Sequence, residues 1–242
     1  MENTAKKPIA DCSGCSFLSA CFANKLEPEA GKLWNTIKTV HHLKDGGEIY
    51  GESQKPSGIF VVCKGRAKVF SIDARGQQMI SWIRHPGELF GHIAFFSGNS
   101  YSCNARAMGD TTLSFLSEKA LDNFLTANPK TYRLFLRKLA EETHGLQTKL
   151  SDAAYQPAKG KVAKTLLKAV SFKSKDTSAP AIYGLKRTEI AEITGLALET
   201  VVRILAEFEK KHLIKREIKS IKILDHAGLS KIAGPHSGKG IG

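Results

Sequence analysis

The sequence contains no run of apolar residues approaching the ~20 that a helix needs to cross a bilayer. Its first residues, MENTAKKPIADCSGC, also lack an apolar core followed by a small-residue cleavage site, so they do not resemble a secretory signal. Disorder is excluded as well, because 42% of the 242 residues are apolar and only 24% are charged. We therefore expect a cytoplasmic protein with one large or two modest globular domains and no membrane partner.

Acidic residues are scarce in the C-terminal third of the chain. Residues 156–242 carry 17 Lys and Arg against 8 Asp and Glu, whereas residues 1–155 carry 19 against 15. A solvated surface rich in lysine would explain such a segment, but a basic block within a foldable domain is also typical of proteins that bind DNA. The charge thus favours a polyanion as the partner of the C-terminal part.

Between Leu43 and Leu125, glycine punctuates short runs of β-branched and aromatic residues. The turn signals are Asp45-Gly46-Gly47, Lys64-Gly65, Arg75-Gly76 and Pro86-Gly87. Short strands separated by such turns predict an antiparallel roll or barrel. This half of the chain is therefore expected to be a β domain.

Beyond Pro129 the apolar residues recur at alternating steps of three and four, which is the a/d spacing of a helix that associates with another helix. The residues of this seam are Leu136, Leu139, Thr143, Leu146, Leu150 and Ala153. Charged residues, among them Lys138 and Glu142, occupy its flanks. We predict that the helix pairs with a second copy of the chain; packing on its own β domain is the alternative. Pro157 predicts that the helix ends or bends near Tyr155.

Residues 185–214, LKRTEIAEITGLALETVVRILAEFEKKHLI, contain the most specific pattern in the chain. The pattern predicts a helix from about Arg187 to Ile193, a turn at Thr194-Gly195 and a second helix from about Leu198 to Lys211. This is the arrangement of a helix-turn-helix, although two consecutive helices of a bundle would look similar. Residues 214–223 alternate apolar and cationic side chains, as in a two-stranded wing.

The order of these parts resembles the CRP/FNR family of bacterial transcription regulators over about residues 25–230. The resemblance rests on the roll segment Gly58–Val69, on PGELFG at residues 86–91 and, most specifically, on TGLALETVVR at residues 194–203. It implies an α+β fold: an eight-stranded β-roll like that of cyclic-nucleotide-binding domains, a long dimerisation helix and a C-terminal winged helix-turn-helix. It also implies a homodimer without enzymatic activity that binds a two-fold symmetric DNA operator and either recruits or blocks RNA polymerase.

On this basis we expect five segments along the chain. These are a cysteine-rich segment (1–24), a β-roll sensor domain (25–128), a dimerisation helix (129–157), a winged helix-turn-helix domain (158–232) and a flexible tail (233–242). The basic C-terminal block thus coincides with the expected DNA-binding domain.

Glu199 and Arg203 lie four residues apart, so a helix presents them on one face. The resemblance implies that Arg203 donates to guanine and that Glu199 accepts from a cytosine amino group in the major groove. An ordinary exposed ion pair is the alternative. Further residues expected on the same DNA-binding surface are Lys186, Thr200 and Val202. Because Leu198 and Val202 replace an arginine and a serine found in other branches of the family, we expect half-sites that resemble TTGA with an altered preference nearby.

Cyclic nucleotides are not expected as ligands. Members of the family that bind them hold the phosphate with a glutamate and an arginine after the stretch that corresponds to PGELFG. In this sequence the glutamate position falls on His92 and the arginine position on Tyr101 or Ser102. A phosphate would lose its cationic partner there, which is costly in a partly buried pocket.

Three of the five cysteines are close together, with the spacing Cys12-x2-Cys15-x5-Cys21. In a cytoplasmic chain such a group more often binds metal or senses redox state than forms structural disulfides. The spacing resembles that of the iron–sulfur ligands in the oxygen-sensing FNR branch, which implies a 4Fe-4S cluster that reports oxygen, nitric oxide or redox state. Incidental or disulfide-forming thiols and a zinc site are the alternatives.

The fourth cysteine ligand is missing from its family position, which falls on Ser114. Gly109-Asp110 is a two-residue hairpin signal that would place Ala105 opposite Ser114. Cys103 would then lie diagonally across from Ser114, within side-chain reach of the same site. We therefore expect Cys103 to be the fourth ligand, with Cys63 as the second choice; the alternative is that either is a small buried apolar residue.

Two other functions stay open from the sequence. A regulator of the same family could be gated by haem, by a small effector in the β-roll or by a thiol switch, with His41, His42 and His92 as candidate haem ligands. A thiol oxidoreductase would use Cys12 and Cys15, but the βαβ pattern of thioredoxin-like enzymes is absent around them.

Overall fold

The computed structural model describes residues 12, 14–170, 180–218 and 220–234. The chain forms two compact units, which divide between Thr143 and His144. No helix within the described ranges is both long enough and apolar enough to cross a membrane. Most of the tail expected at 233–242 lies outside these ranges.

The first unit is a β-roll flanked by helices. Its strands are β1 (Thr39–Leu43), β2 (Glu48–Tyr50), β3 (Gly58–Ile72), β4 (Gln78–Arg84), β5 (Leu89–Phe90) and β6 (Asn104–Ser117). Its helices are α1 (Pro28–Ile37), α2 (His92–Ser97), α3 (Glu118–Ala127) and the first part of α4 (Tyr132–Tyr155). Short 3₁₀ turns at Leu18–Ala20 and Phe22–Lys25 precede α1.

The strands form one antiparallel sheet with the order β1-β6-β3-β4, to which β2 adds on β6 and β5 adds on β3. β3 and β6 pair along most of their length, from Gly58 opposite Ser117 to Phe70 opposite Asn104. Alternate side chains of a strand point to the same face, and inward-facing residues such as Ile59 are fully buried. The predicted antiparallel roll is confirmed.

β3 and β6 run through two glycines that the sequence suggested were turns. Gly65 and Gly109 have φ values of +79° and +75°, but they form a β-bulge in the interior of the two strands, where Gly109–Thr111 faces Gly65 alone. A Cβ at Gly65 would lie 2.5 Å from the carbonyl oxygen of Asp110, so this bulge requires glycine. The predicted hairpin at Gly109-Asp110 is therefore wrong. If the halves on either side of the bulge are counted separately, the described roll has the eight strands implied by the resemblance.

Aromatic side chains pack the N-terminal segment against the roll. The ring centroid of Trp34 in α1 lies 5.3 Å from that of Phe124 in α3. Phe22 lies 5.7 Å from Trp34 and 4.9 Å from Phe135 of α4, and all four rings are buried. The residue directly after Cys21 thus anchors the cysteine-rich segment in the core of the first unit.

Helix α4 ends at Tyr155, as predicted, and α5 begins at Ala158. Pro157 has no backbone N–H to continue the α4 hydrogen-bond ladder, which accounts for the interruption. The elements that follow are α5 (Ala158–Val170), β7 (Ala181–Tyr183), α6 (Arg187–Thr194), α7 (Leu198–Lys210), β8 (Ile214–Arg216), β9 (Ser220–Ile223) and α8 (His226–Ala233).

The second unit has the architecture of a winged helix-turn-helix. Its three described strands form an antiparallel sheet in the order β7-β9-β8. The helices and the sheet share one core, whose fully buried members include Val162, Leu166, Ile190, Val201, Leu205, Phe208 and Leu229. The α+β fold predicted from the sequence is confirmed.

Candidate functional site

Helices α6 and α7 form the predicted helix-turn-helix, and their bounds differ from the prediction by one residue at each C-terminal end. At the start of α6 the backbone N–H of Lys186 donates to the Glu189 carboxylate at 2.8 Å. Gly195 ends the helix with φ +65°, a conformation that glycine adopts without strain, and its N–H donates to the Ala191 carbonyl. These local contacts set the turn that leads into α7.

The first two turns of α7 present a polar face to solvent. Glu199 and Arg203 are both exposed, and neither makes an ion pair or hydrogen bond within the described residues. The ordinary i,i+4 ion pair is therefore not formed, and both side chains are available to a ligand. Lys186 is also exposed, whereas Thr200 and Val202 are half-buried. This face has the shape and chemistry of a recognition helix that enters a major groove.

The wing beside this helix carries cations that are partly neutralised within the chain. Arg216 of β8 donates through Nε to Glu209 of α7 at 2.7 Å. Lys222 of β9 lies 2.8 Å from Glu217, while Lys215 is exposed. The two paired cations stabilise the wing, and Lys215 provides positive charge on its surface.

The seam predicted on α4 is largely exposed in the single chain. Leu136 is 65% exposed, Leu146 45% and Leu150 74%. Thr143 is also exposed, and Leu139 is half-buried. These three leucines are not part of the described hydrophobic core of either unit.

Four cysteines line one cavity in the first unit. Cys12, Cys15 and Cys21 approach it from the N-terminal segment, and Cys63 approaches it from β3 together with its neighbour Ser114 of β6. Ser114 forms a hydrogen bond with the Cys63 thiol, and burial raises the pKa of the thiols of Cys21 and Cys63. Ser114, on which the resemblance places the family's distal cysteine, therefore directly contacts a thiol on the neighbouring strand.

The cysteine-rich segment is held at this cavity by Gly87, which follows Pro86. Gly87 accepts from the backbone N–H of Phe22 at 2.9 Å and donates to the Val62 carbonyl at 2.7 Å. It has φ +90°, and a Cβ at this position would lie 2.8 Å from the carbonyl of Ala20 and from the Cα of Cys21. The close approach of the two backbones therefore depends on glycine at this position.

Cys103, the fourth ligand expected from the sequence, is not among the residues that line this cavity. The expectation depended on the hairpin at Gly109-Asp110, whereas β6 is one strand that separates Cys103 from Ser114 by a path of roughly 30 Å. Cys103 instead forms a hydrogen bond with Tyr50, whose ring stacks on Tyr101 at 3.7 Å. Cys63, the second choice, is the thiol that the structure brings beside the other three.

The four thiols fit an iron–sulfur group in kind and number, since such groups are held by cysteine thiolates. Among the described residues, no three His, Cys, Asp or Glu side chains are already arranged as a metal site. The cavity has a volume of about 20 Å³, the space of a single water molecule. An iron–sulfur cluster is larger than this space, so the residues that line the cavity must rearrange to hold one.

A second polar cluster lies inside the roll, at the position that the resemblance assigns to a nucleotide phosphate. Arg84 Nη1 is 2.9 Å from Glu142 Oε1, and His92 Nε2 is 3.6 Å from the same oxygen. Burial lowers the pKa of His92 to about 4, so its contact with Glu142 is not an ion pair at neutral pH. Burial alone would raise the pKa of Glu142, but the charges of Arg84 and its neighbours hold it below its ordinary value. Tyr101 is buried and stacks on Tyr50. The positions of the family's phosphate-binding glutamate and arginine are thus held here by a neutral histidine and a tyrosine.

Two buried residues of the first unit were missed by sequence reasoning. Glu142 was expected on the polar flank of the α4 seam but is 3% exposed, and Lys38, directly after α1, is 3% exposed beside Cys12. Each contacts a polar partner distant in sequence, Arg84 for Glu142 and Cys12 for Lys38, which no local pattern signals. The other candidate haem ligands, His41 and His42, are exposed on β1.

Comparisons with known proteins agree with both units. Residues 40–128 match the cyclic nucleotide-binding domain family, and residues 160–232 match the Crp-like helix-turn-helix domain family. The chain is 28% identical over 230 residues to the transcriptional activator protein Anr of Pseudomonas aeruginosa, which covers 94% of each chain. It is 25% identical to the fumarate and nitrate reduction regulatory protein of Vibrio cholerae, over 92% of this chain and 90% of that one.

Among solved structures, FixK2 from Bradyrhizobium japonicum aligns with a TM-score of 0.74 and 20% identity, over 82% of this chain and 98% of that one. The fold and the exposed recognition helix thus define a DNA-binding transcription regulator. The chain belongs to the CRP/FNR family, which consists of transcription regulators and not of enzymes.

Proposed function

We propose that the protein is a homodimer that binds palindromic DNA with TTGA-like half-sites and responds to oxygen, nitric oxide or another redox signal through a 4Fe-4S cluster. The observation that carries the proposal is that Cys12, Cys15, Cys21 and Cys63 all line one cavity. The resemblance of the first three to the ligand spacing of the FNR branch and the similarity to Anr support it. The five segments defined from the sequence are kept as the proposed division of the chain.

DNA recognition is assigned to the exposed face of α7. Arg203 donates to the O6 and N7 atoms of guanine, and Glu199 accepts from a cytosine amino group. Lys186 and the wing residue Lys215 contact phosphates, which orient the helix without reading sequence. The absence of a side-chain cap at Ala197 leaves the first amides of α7 free to donate to a phosphate.

Dimerisation is assigned to the exposed leucines of α4. Leu136, Leu146 and Leu150 of one copy pack against the same residues of a second copy, because burying them removes apolar surface from water. A two-fold dimer presents its recognition helices to half-sites that are about 34 Å apart, one turn of DNA. RNA polymerase is the further partner implied by the family.

Cluster binding is assigned to the three N-terminal cysteines and Cys63, with Ser114 supporting the Cys63 thiol. A cluster bound there supplies a centre that oxygen can oxidise. The protein's contribution is to hold three thiols on the N-terminal segment and one on the roll, so that the state of the centre affects how that segment is docked. Cyclic nucleotides are not proposed as ligands, because His92 and Tyr101 provide no charged pair for a phosphate.

The decisive experiment is purification without air, followed by an absorption spectrum and assays of iron and acid-labile sulfide. Cys63→Ser should abolish the visible charge-transfer absorption, because a serine hydroxyl must lose a far less acidic proton than a thiol to ligate iron. Cys103→Ser is the matched control and should retain it. If Cys103→Ser loses the cluster and Cys63→Ser keeps it, the ligand assignment is wrong. Wild-type protein that lacks iron and sulfide but binds its operator in a thiol-dependent way would instead support a thiol switch.

A further inference from the structure

Lys38 places a buried ammonium group at the wall of the cysteine cavity. It follows α1 directly, is 3% exposed, and lines the cavity together with the four cysteines. Its Nζ donates to Cys12 Sγ at 2.7 Å and to Asn35 Oδ1 at 2.9 Å.

A buried ammonium ordinarily has a carboxylate partner, since transferring an unpaired charge out of water costs several kcal/mol. Lys164, the other buried lysine among the described residues, follows this rule and contacts both oxygens of Asp152. Lys38 has no carboxylate partner within the described part of the chain; it donates to the Cys12 sulfur, and its charge also acts on the Cys63 thiol across the cavity. The negative charge that balances Lys38 must therefore reside at the cysteine centre.

We propose that Lys38 is the counter-cation of the cysteine centre: its ammonium stabilises negative charge on Cys12 Sγ and on the group that the thiols hold. The assignment rests on the proposed cluster, whose thiolate ligands carry that negative charge. A positive charge and a hydrogen bond at a ligand sulfur favour the reduced state of such a centre, because reduction adds negative charge. Lys38 is thus a positioning residue that sets the potential and the lifetime of the centre in air.

The test compares four variants with the wild type after anaerobic purification. Lys38→Met removes the charge at similar volume, Lys38→Gln removes it but keeps a donor, and Lys38→Arg keeps it. Lys32→Met is the control, because Lys32 is an exposed lysine on α1 whose ion pair, among the described residues, is with the exposed Glu29. Iron and sulfide content, the midpoint potential and the rate of absorbance loss in air are measured for each.

We expect Lys38→Met and Lys38→Gln to shift the ratio of oxidised to reduced centre by about tenfold at a fixed potential, which corresponds to 59 mV toward more negative values for a one-electron couple. Their absorbance should also be lost faster in air, while Lys38→Arg and Lys32→Met should behave as the wild type. Without a cluster, Lys38→Met should unfold at an equal or higher temperature than the wild type, because an unpaired buried charge has been removed. A merely structural lysine would lower the unfolding temperature with and without the cluster.

Two negative results are distinguishable. A wild type that contains no iron and sulfide refutes the proposed cluster and the role of Lys38 with it. A loaded wild type whose potential and lifetime are matched by both charge-removing variants refutes the role of Lys38 alone. If Lys38→Met does not fold, Lys38→Gln carries the comparison.

Discussion

The ion pair between Arg84 and Glu142 allows a quantitative test of the packing inside the roll. Glu142→Gln keeps the shape of the side chain but removes the one carboxylate that the described residues place within 4 Å of the Arg84 guanidinium, whose side chain is 4% exposed. Loss of one partner leaves an uncompensated buried charge, which costs about 3 to 5 kcal/mol in the free energy of unfolding. The double variant Arg84→Met, Glu142→Leu should recover most of this loss, because apolar residues of similar volume replace both charges.

Tryptophan fluorescence can follow the unfolding of the first unit separately, since both tryptophans, Trp34 and Trp82, lie in that unit. Urea unfolding followed at tryptophan emission therefore reports the roll and not the DNA-binding unit. Glu27→Gln is the control, because its ion pair with Lys130 is exposed and should contribute less than about 1 kcal/mol. A loss below about 1 kcal/mol for Glu142→Gln, or a double variant that is less stable than the single one, would refute this account of the cluster.

Three further predictions concern DNA binding, assembly and pH. Arg203→Ala should weaken binding to a TTGA-type half-site by about 5-fold to 150-fold, equivalent to 1 to 3 kcal/mol, with little change on unrelated DNA. Equal binding of this half-site by the wild type and by Arg203→Ala in a gel-shift titration would place the recognition face elsewhere. Leu146→Asp should yield monomers in sedimentation because it opposes two charges across the α4 seam, whereas the neighbouring exposed change Gln147→Asp should leave the dimer intact. Burial lowers the pKa of His92 to about 4 in the folded state. Between pH 6.5 and 4 the unfolded chain therefore binds a proton at His92 that the folded chain does not bind. The free energy of unfolding should fall by about 3 kcal/mol over this range as the pH drops. His92→Phe should flatten this part of the stability profile; an unchanged slope would show that another group titrates.

The helix-turn-helix was predictable because its signals are local. Gly195 marks the turn, and the apolar spacing on both sides of it determines which faces are buried, so the bounds followed to within one residue. The end of α4 was predictable for the same reason, since Pro157 acts on the backbone that directly precedes it.

The long strands were not predictable from local signals. A glycine with positive φ satisfies a tight turn and a β-bulge equally well, and only the partner strand distinguishes them. The wrong hairpin at Gly109 also misplaced Cys103, because the expected position of that thiol beside Ser114 depended on the hairpin. Glu142 shows the same limit on a helix: its heptad position predicts solvent exposure, but Arg84, distant in sequence, provides the charge that permits burial.

The contact at Gly87 has a genetic consequence. Any side chain there would collide with the backbone on either side of the Ala20–Cys21 peptide bond, and the collision would push the N-terminal segment away from β3. Three thiols would then be separated from the fourth, although every cysteine is still encoded. A screen for alleles that have lost the proposed redox response should therefore recover substitutions of Gly87 as well as of the cysteines, with a DNA-binding unit that still folds.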